Sequence, residues 1–176
     1  MLPRRGFLLG TAAAGWLGLG ANHTAVANVA SVTLLQRFVA LNRRWGEFST
    51  LIAAVQAAGL TGPLGGNSPL TVFAPTDEAF AALGLDASNV GDLGAETLTA
   101  ILLYHVAAGS RGAGSIGVQA TLTMLDGNTT RLRRRTLFGS PSRLYINESL
   151  VVFPNLAARN GVIHAIDRVL QPPADA

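Results

Sequence analysis

The chain has 176 residues, 49% hydrophobic and 13% charged, with 20 Gly, 8 Pro and no Cys. This composition supports one domain with a sizeable core and excludes a disordered chain, a collagen repeat and a disulfide framework. Lack of cysteine removes thiolate nucleophiles, Cys-rich zinc sites, iron–sulfur clusters and cysteine-linked lipid, and a formal charge of +3 with every cation an Arg is no chain-wide field for nucleic acid.

Residues 1–27 read as an export signal. Arg4 and Arg5 precede an apolar stretch from Phe7 to Ala21, and Ala25-Val26-Ala27 offers the small-x-small pattern of a cleavage site. Arg4-Arg5-Gly6-Phe7-Leu8 is similar to a twin-arginine signal. The stretch falls short of the about 20 apolar residues a membrane-spanning helix needs. After cleavage no membrane span is expected, and eleven Arg face ten acids, a net charge of +1. Residues 28–33 are read as a short linker, 34–173 as the domain and 174–176 as a tail.

Leu34, Leu35, Phe38, Leu41 and Trp45 recur at helical spacing, which predicts a helix from Val32 to Trp45. A second helix is expected from Ser49 to Ala58, capped by Ser49 and stopped by Gly59. The Gly- and Pro-rich stretch Thr61 to Pro69 is expected to be loop, and Leu70 to Phe73 a strand. Thr76 then caps a helix whose positive end meets Asp77 and Glu78. Ala95 to Val106 carries Leu98, Ile101, Leu102 and His105 on one stripe of a further helix, left at Gly109. From there the period becomes strand-like. Thr121 to Leu125 and Thr129 to Leu132 form one hairpin. Leu144 to Ile146 and Leu150 to Phe153 form another, and Val162 to Leu170 a last strand after Asn160-Gly161. Pro172-Pro173 ends the ordered part. Helices first and hairpins afterwards define an α+β domain with a largely antiparallel sheet. No repeat of 20 to 50 residues occurs, so solenoids and propellers are excluded.

Three segments, Leu70 to Phe80, Leu102 to Val106 with Gly109, and Asn160 to Leu170, together resemble the signatures of the fasciclin domain family. They stand in the family's order with about its spacing, and Phe48 to Leu51 leading to Ala57-Ala58-Gly59-Leu60 resembles its early helix. The resemblance implies helices packed on a β-sandwich or wedge, a secreted or surface-attached setting, adhesion or matrix contacts, and no common catalytic chemistry. The Tyr-His tract linked to integrin binding in some animal members is matched by Tyr104-His105. The companion Asp-Ile tract is not matched, because Ile166-Asp167 has the reverse order, so integrin binding is not expected.

The candidate binding residues are Tyr104, His105, Arg131, Arg133 and Arg135. The plainer reading makes His105 a core histidine bonded to backbone, and packing is likewise favoured for Tyr104 over an outward hydroxyl. His164 is expected among apolar neighbours with a polar partner. Arg131, Arg133 and Arg135 share one strand face at period two, a row about 13 to 14 Å long. The row suits either a solvated sheet edge that deters pairing or a contact for anionic polysaccharide, lipid headgroups or an acidic protein. Asn128-Thr129-Thr130 and Asn147-Glu148-Ser149 match glycosylation acceptors, but both fall where turns require Asn. Two histidines after the leader are few for a metal site, and Asp77, Glu78 and Asp167 could join them only through the fold. No nucleophile elbow or phosphate loop is legible. The sequence is therefore read as a monomeric, exported, non-catalytic module, periplasmic or extracellular, with no cofactor. Its expected partner is a cell-surface or matrix protein or an anionic polysaccharide, and the alternative is a periplasmic carrier of a small apolar ligand or lipid.

Overall fold

The computed structural model describes residues 32–117, 119–136 and 142–173. The expected leader, residues 28–31 of the linker and the tail 174–176 lie outside them. Helix α1 (Leu34–Trp45) starts at a reciprocal cap, in which Thr33 Oγ1 accepts from the Gln36 amide and Gln36 Oε1 from the Thr33 amide. It buries Leu34, Phe38 and Leu41 and stops at Gly46, φ 72°. Trp45, expected on the buried stripe, is 40% exposed and stacks on Phe153 at 5.4 Å.

Helix α2 (Ser49–Ala57) corrects a second expectation. Ser49 lies inside the helix, and the capping position is Phe48, without a side-chain bond. The cap comes from a distance: the Asp77 carboxylate accepts from the Ser49 and Thr50 amides at 3.1 and 2.8 Å. Asp77 thus meets the positive end of α2 as well as opening its own helix. The expected loop after Gly59 contains a short helix, α3 (Thr61–Gly65). Pro63 is tolerated there because first-turn amides have no intrahelical acceptor.

Strand β1 (Leu70–Pro75) leads into α4 (Asp77–Ala81), where Thr76 Oγ1 accepts from the Ala79 amide. A 3-10 turn (Val90–Leu93) precedes α5 (Ala95–Leu103), which is shorter than expected. Val106 belongs instead to β2 (Val106–Ala108), paired antiparallel to β1. A second 3-10 turn (Ala113–Ser115) follows, then β3 (Gln119–Thr123), β4 (Thr129–Arg135), β5 (Arg143–Ile146), β6 (Ser149–Ala158) and β7 (Gly161–Ile166). Both expected hairpins are present, β6 runs five residues beyond its expected end, and β7 stops at Ile166, four residues short of the expected Leu170.

The seven strands order as β2-β1-β7-β6-β5-β4-β3, with β1 and β7 parallel and every other neighbouring pair antiparallel. Register shifts in β6 between Val151 and Phe153, and between Phe153 and Leu156, bend the sheet there. Beyond the bend, Ala107 bridges Met124 and the Leu125 amide donates to the Val106 carbonyl at 2.7 Å. The sheet therefore curls back towards itself as a wedge.

This curl makes two cores. One lies between the helices and β1–β7, around Phe38, Phe48, Val55, Leu98 and Ile163. The other fills the wedge, around Phe73, Tyr104, Leu132, Ile146 and Ile166. Strands β1 and β7 separate the two and are buried at all six positions each, which explains their nearly continuous apolar sequence. Side chains alternate along β7, so Ile163 and Ala165 face the helices while Ile166 faces the wedge.

Candidate functional site

Strand β4 alternates because one face packs on the wedge core and the other meets solvent. Thr130 and Leu132 are buried, whereas Arg131, Arg133 and Arg135 are exposed, on the single face expected. The sheet-edge reading of this row is overturned. Strand β4 is internal, with β3 on one side and β5 on the other, and the end strand beside it is β3. Charge on one strand reveals its solvated face but not its neighbours.

Those neighbours extend the site. Register places Thr121 beside Arg131, Gln119 and Tyr145 on either side of Arg133, and Arg143 beside Arg135. The Arg135 guanidinium lies 5.6 Å from the Tyr145 ring centroid, within cation–π reach. Between Arg131, Arg133, Gln119 and Thr121 runs a polar furrow of about 270 Å³. No Asp or Glu occurs on β3, β4 or β5. Arg143 and Tyr145 escape a sequence reading because only register brings them beside the row. Arg134 turns the other way and donates to the carbonyls of Ala113 and Ile116 and to the Ser142 hydroxyl. It fastens the 3-10 turn to the sheet.

Tyr104 and His105 are internal, 3% and 2% exposed. The Tyr104 hydroxyl accepts from Asn147 Nδ2 at 3.2 Å. Asn147, at φ 51°, also accepts from the Arg131 amide through Oδ1. Asn147 therefore joins the Tyr104 end of the core to the arginine strand, and its turn geometry explains the Asn in that acceptor-like tripeptide.

His105 Nδ1 bonds the Ile101 carbonyl at 2.7 Å, and Nε2 accepts from the Leu170 amide at 2.8 Å. These partners assign the proton to Nδ1. Burial pushes its pKa down to about 4, against the raising effects of the Ile101 carbonyl and Asp126. His164 takes the opposite tautomer: Nε2 meets the Arg111 carbonyl at 2.9 Å and Nδ1 accepts from the Asn155 amide at 3.3 Å. It stacks on Phe73 at 5.5 Å, and burial lowers its pKa as well. Each ring has both nitrogens engaged by backbone and so acts as a brace rather than a base within reach of substrate. Among the described residues no three His, Asp or Glu gather into a group able to hold a metal ion. An apolar cavity of about 40 Å³ lies between Phe38, Val55, Leu64, Val72, Leu102 and Val106.

The domain is thus an α+β wedge whose two described histidines are engaged by backbone and whose β3–β5 face is open, polar and cationic. The Fasciclin domain model matches residues 46–172, and the chain belongs to that family. Transforming growth factor-beta-induced protein ig-h3 from Sus scrofa is 40% identical over 129 residues, 73% of this chain and 18% of that protein. Protein sll1483 from Synechocystis is 38% identical over 128 residues, 72% of this chain and 68% of that protein. A FAS1 domain pair from the insect cell adhesion molecule Fasciclin I superposes with a TM-score of 0.64 over 80% of this chain and 51% of that one, at 17% identity. That last likeness is one of fold. No helix among the described residues is long and apolar enough to cross a membrane.

Proposed function

We propose that this chain is an exported, non-catalytic binding module, periplasmic or extracellular, that mediates adhesion to cell-envelope or extracellular-matrix material. The observation that carries the reading is the Fasciclin match over residues 46–172, in a domain whose two described histidines are both committed to backbone. A signal-like segment at residues 1–27 and a fold shared with a cell adhesion molecule support it. The test is a binding panel of envelope polysaccharides, lipids and matrix proteins, probed at low and physiological salt. Saturable binding to at least one is expected, and silence across the panel removes the adhesion reading.

The alternative, a carrier for a small apolar ligand, has the apolar cavity as its place. Ligand pockets are roughly 300–1,000 Å³, so at about 40 Å³ that cavity must open to serve. Organic extraction of the purified protein tests this reading, which requires recovered lipid or pigment in near-stoichiometric amount.

A further inference from the structure

We infer that the outer face of β3, β4 and β5 is a docking strip for a linear anionic polysaccharide, gripped through sulfate or uronate groups by Arg131, Arg133, Arg135 and Arg143. The inference rests on the adhesion reading, which places the chain where such polymers occur, and deepens it by naming partner chemistry and contact.

The face itself selects this class. Its exposed positions on β3 and β4 are Gln119, Thr121, Thr123, Thr129, Arg131, Arg133 and Arg135, and none is apolar. Protein partners draw most of their affinity from aromatic or aliphatic anchors seated in dry pockets, and interfacial membrane binding needs an apolar face to bury. Apart from Tyr145, half-buried under Arg135, the outward positions of β3, β4 and β5 carry no aromatic or aliphatic side chain to serve as such an anchor. The strip offers guanidiniums, which form paired hydrogen bonds to flat or tetrahedral anions, over short hydroxyl and amide side chains suited to sugar hydroxyls. The furrow lined by Gln119, Thr121, Arg131 and Arg133 holds about 270 Å³, room for part of a sugar ring rather than for a folded partner. Residues alternating along a strand stand about 6.6 to 6.8 Å apart. The row therefore meets successive charges on an extended polymer, and an isolated ion gains little from it.

The charge is also uncompensated within the strip. No carboxylate lies on the three strands. Glu148 lies on the turn directly after Asn147, whose amide and Oδ1 pair with the Arg131 backbone. The grip is consequently strongest at the Arg133, Arg135 and Arg143 end. Tyr145 lies under the Arg135 guanidinium, 5.6 Å from ring centroid to Cζ.

The purified protein is titrated with heparin, polygalacturonate and neutral dextran, and in parallel with poly-glutamate and phosphatidylglycerol vesicles. Binding is expected to heparin or polygalacturonate and not to dextran, weakening steadily with salt. Polygalacturonate bears carboxylates alone while heparin bears sulfates as well, so binding to heparin only assigns the recognition to sulfate and binding to both assigns it to carboxylate or to either anion. Replacing Arg131, Arg133, Arg135 and Arg143 by Ser should weaken it by at least about tenfold with the thermal transition retained. Lysine at the same four positions should restore only part, because paired geometry is lost while charge is kept. Arg43→Ser with Arg44→Ser, at the exposed end of α1, should leave binding unchanged. Equal loss in that control overturns the inference in favour of general charge attraction. Preference for poly-glutamate or vesicles overturns it in favour of an acidic protein or a membrane surface. Binding to none of the probes overturns it too, and the adhesion panel then separates the failures. Panel binding kept by the four-Ser variant leaves adhesion standing with its contact elsewhere, while a silent wild type removes both readings.

Discussion

The two halves of the sheet have opposite relations to solvent. Strands β1 and β7 are buried on both faces, between the helical core and the wedge core. Strands β3, β4 and β5 give one face to the wedge core and the other to water. The three segments that carry the family resemblance fall in the first half or in the helices and β2 beside it. Their residues prove to be construction. Asn160 accepts from the Leu34 amide at 2.8 Å, donates to the Leu64 carbonyl at 3.0 Å and offers its own carbonyl to the Leu70 amide. Asp77 caps α2, and the two histidines tie backbone to backbone. The second half carries the distinctive surface chemistry and none of the signatures. In this domain the recognisable residues build the wedge, and the exposed arginine row lies outside them.

That contrast breaks first at Gly161. Its φ is 153°, and a Cβ there would stand 2.0 Å from the Leu70 carbonyl oxygen, at the start of the parallel β1–β7 pairing. Backbone is the obstacle, so no side chain can yield. Gly161→Ala should cost more than about 4 kcal/mol, in the range that unfolds an ordinary domain. Gly127→Ala, in the β3–β4 turn at φ 92° with nothing within 4 Å, should cost only the local strain, about 1–2 kcal/mol. Urea unfolding followed by circular dichroism measures both. Equal losses would show that the buried half is no more exacting than the open one.

The buried half should also be the acid-sensitive one. His105 titrates at 6.5 unfolded but about 4 in the fold, so between those values the unfolded chain binds a proton that the native state refuses. Its contribution is fully present above pH 6.5, declines as pH falls, and is lost by about pH 4. The difference amounts to about 3 kcal/mol. His164 adds in the same direction. Protonated His105 can no longer accept from the Leu170 amide, so the chain after β7 should loosen first. Stability measured from pH 7.5 to 5, above the main range of carboxylate titration, should fall less steeply in His105→Leu than in wild type, although the variant starts lower. Equal slopes would exclude His105 as the sensor.

The same division governs what the sequence made legible. Periodicity and turn residues placed α1, both hairpins and β7, because each satisfies its backbone locally or with its immediate neighbour. Long-range partners stayed invisible. The cap on α2 comes from Asp77, 27 residues beyond Thr50, so Ser49 took its place in the reading. Strand β2 is three residues long directly after a helix, too short for a period to declare itself. The short α3 hides in Gly and Pro. The arginine face was legible as a face, but nothing local to β4 signals that it is internal or that Arg143 and Tyr145 border it. The stacked pair Trp45 and Phe153 joins residues on α1 and β6, and nothing local distinguishes either from a core residue.

The smallest effect expected is also the finest comparison, because it lies within one strand. Arg133 and Arg134 are adjacent, alike in charge and helpless to exchange faces, since a strand alternates its side chains strictly. Arg133 points into solvent, and removing it takes away neither apolar contact nor buried bond. Arg133→Ser should therefore shift stability by no more than about 0.5 kcal/mol. Arg134 reaches around the margin of the sheet to the carbonyls of Ala113 and Ile116, the latter at 3.2 Å, and Ala113 and Ile116 are themselves buried in the wedge core. A charged donor satisfying two carbonyls contributes more than a neutral one, so Arg134→Ser should cost about 1.5–3 kcal/mol. Adhesive binding should show the reverse order, lost with the outward arginines and kept by Arg134→Ser at temperatures where that variant stays folded. If Arg133→Ser proved the more destabilising of the two, the outward row would be part of the architecture, and the boundary between the half that builds and the half left open to solvent would have to move.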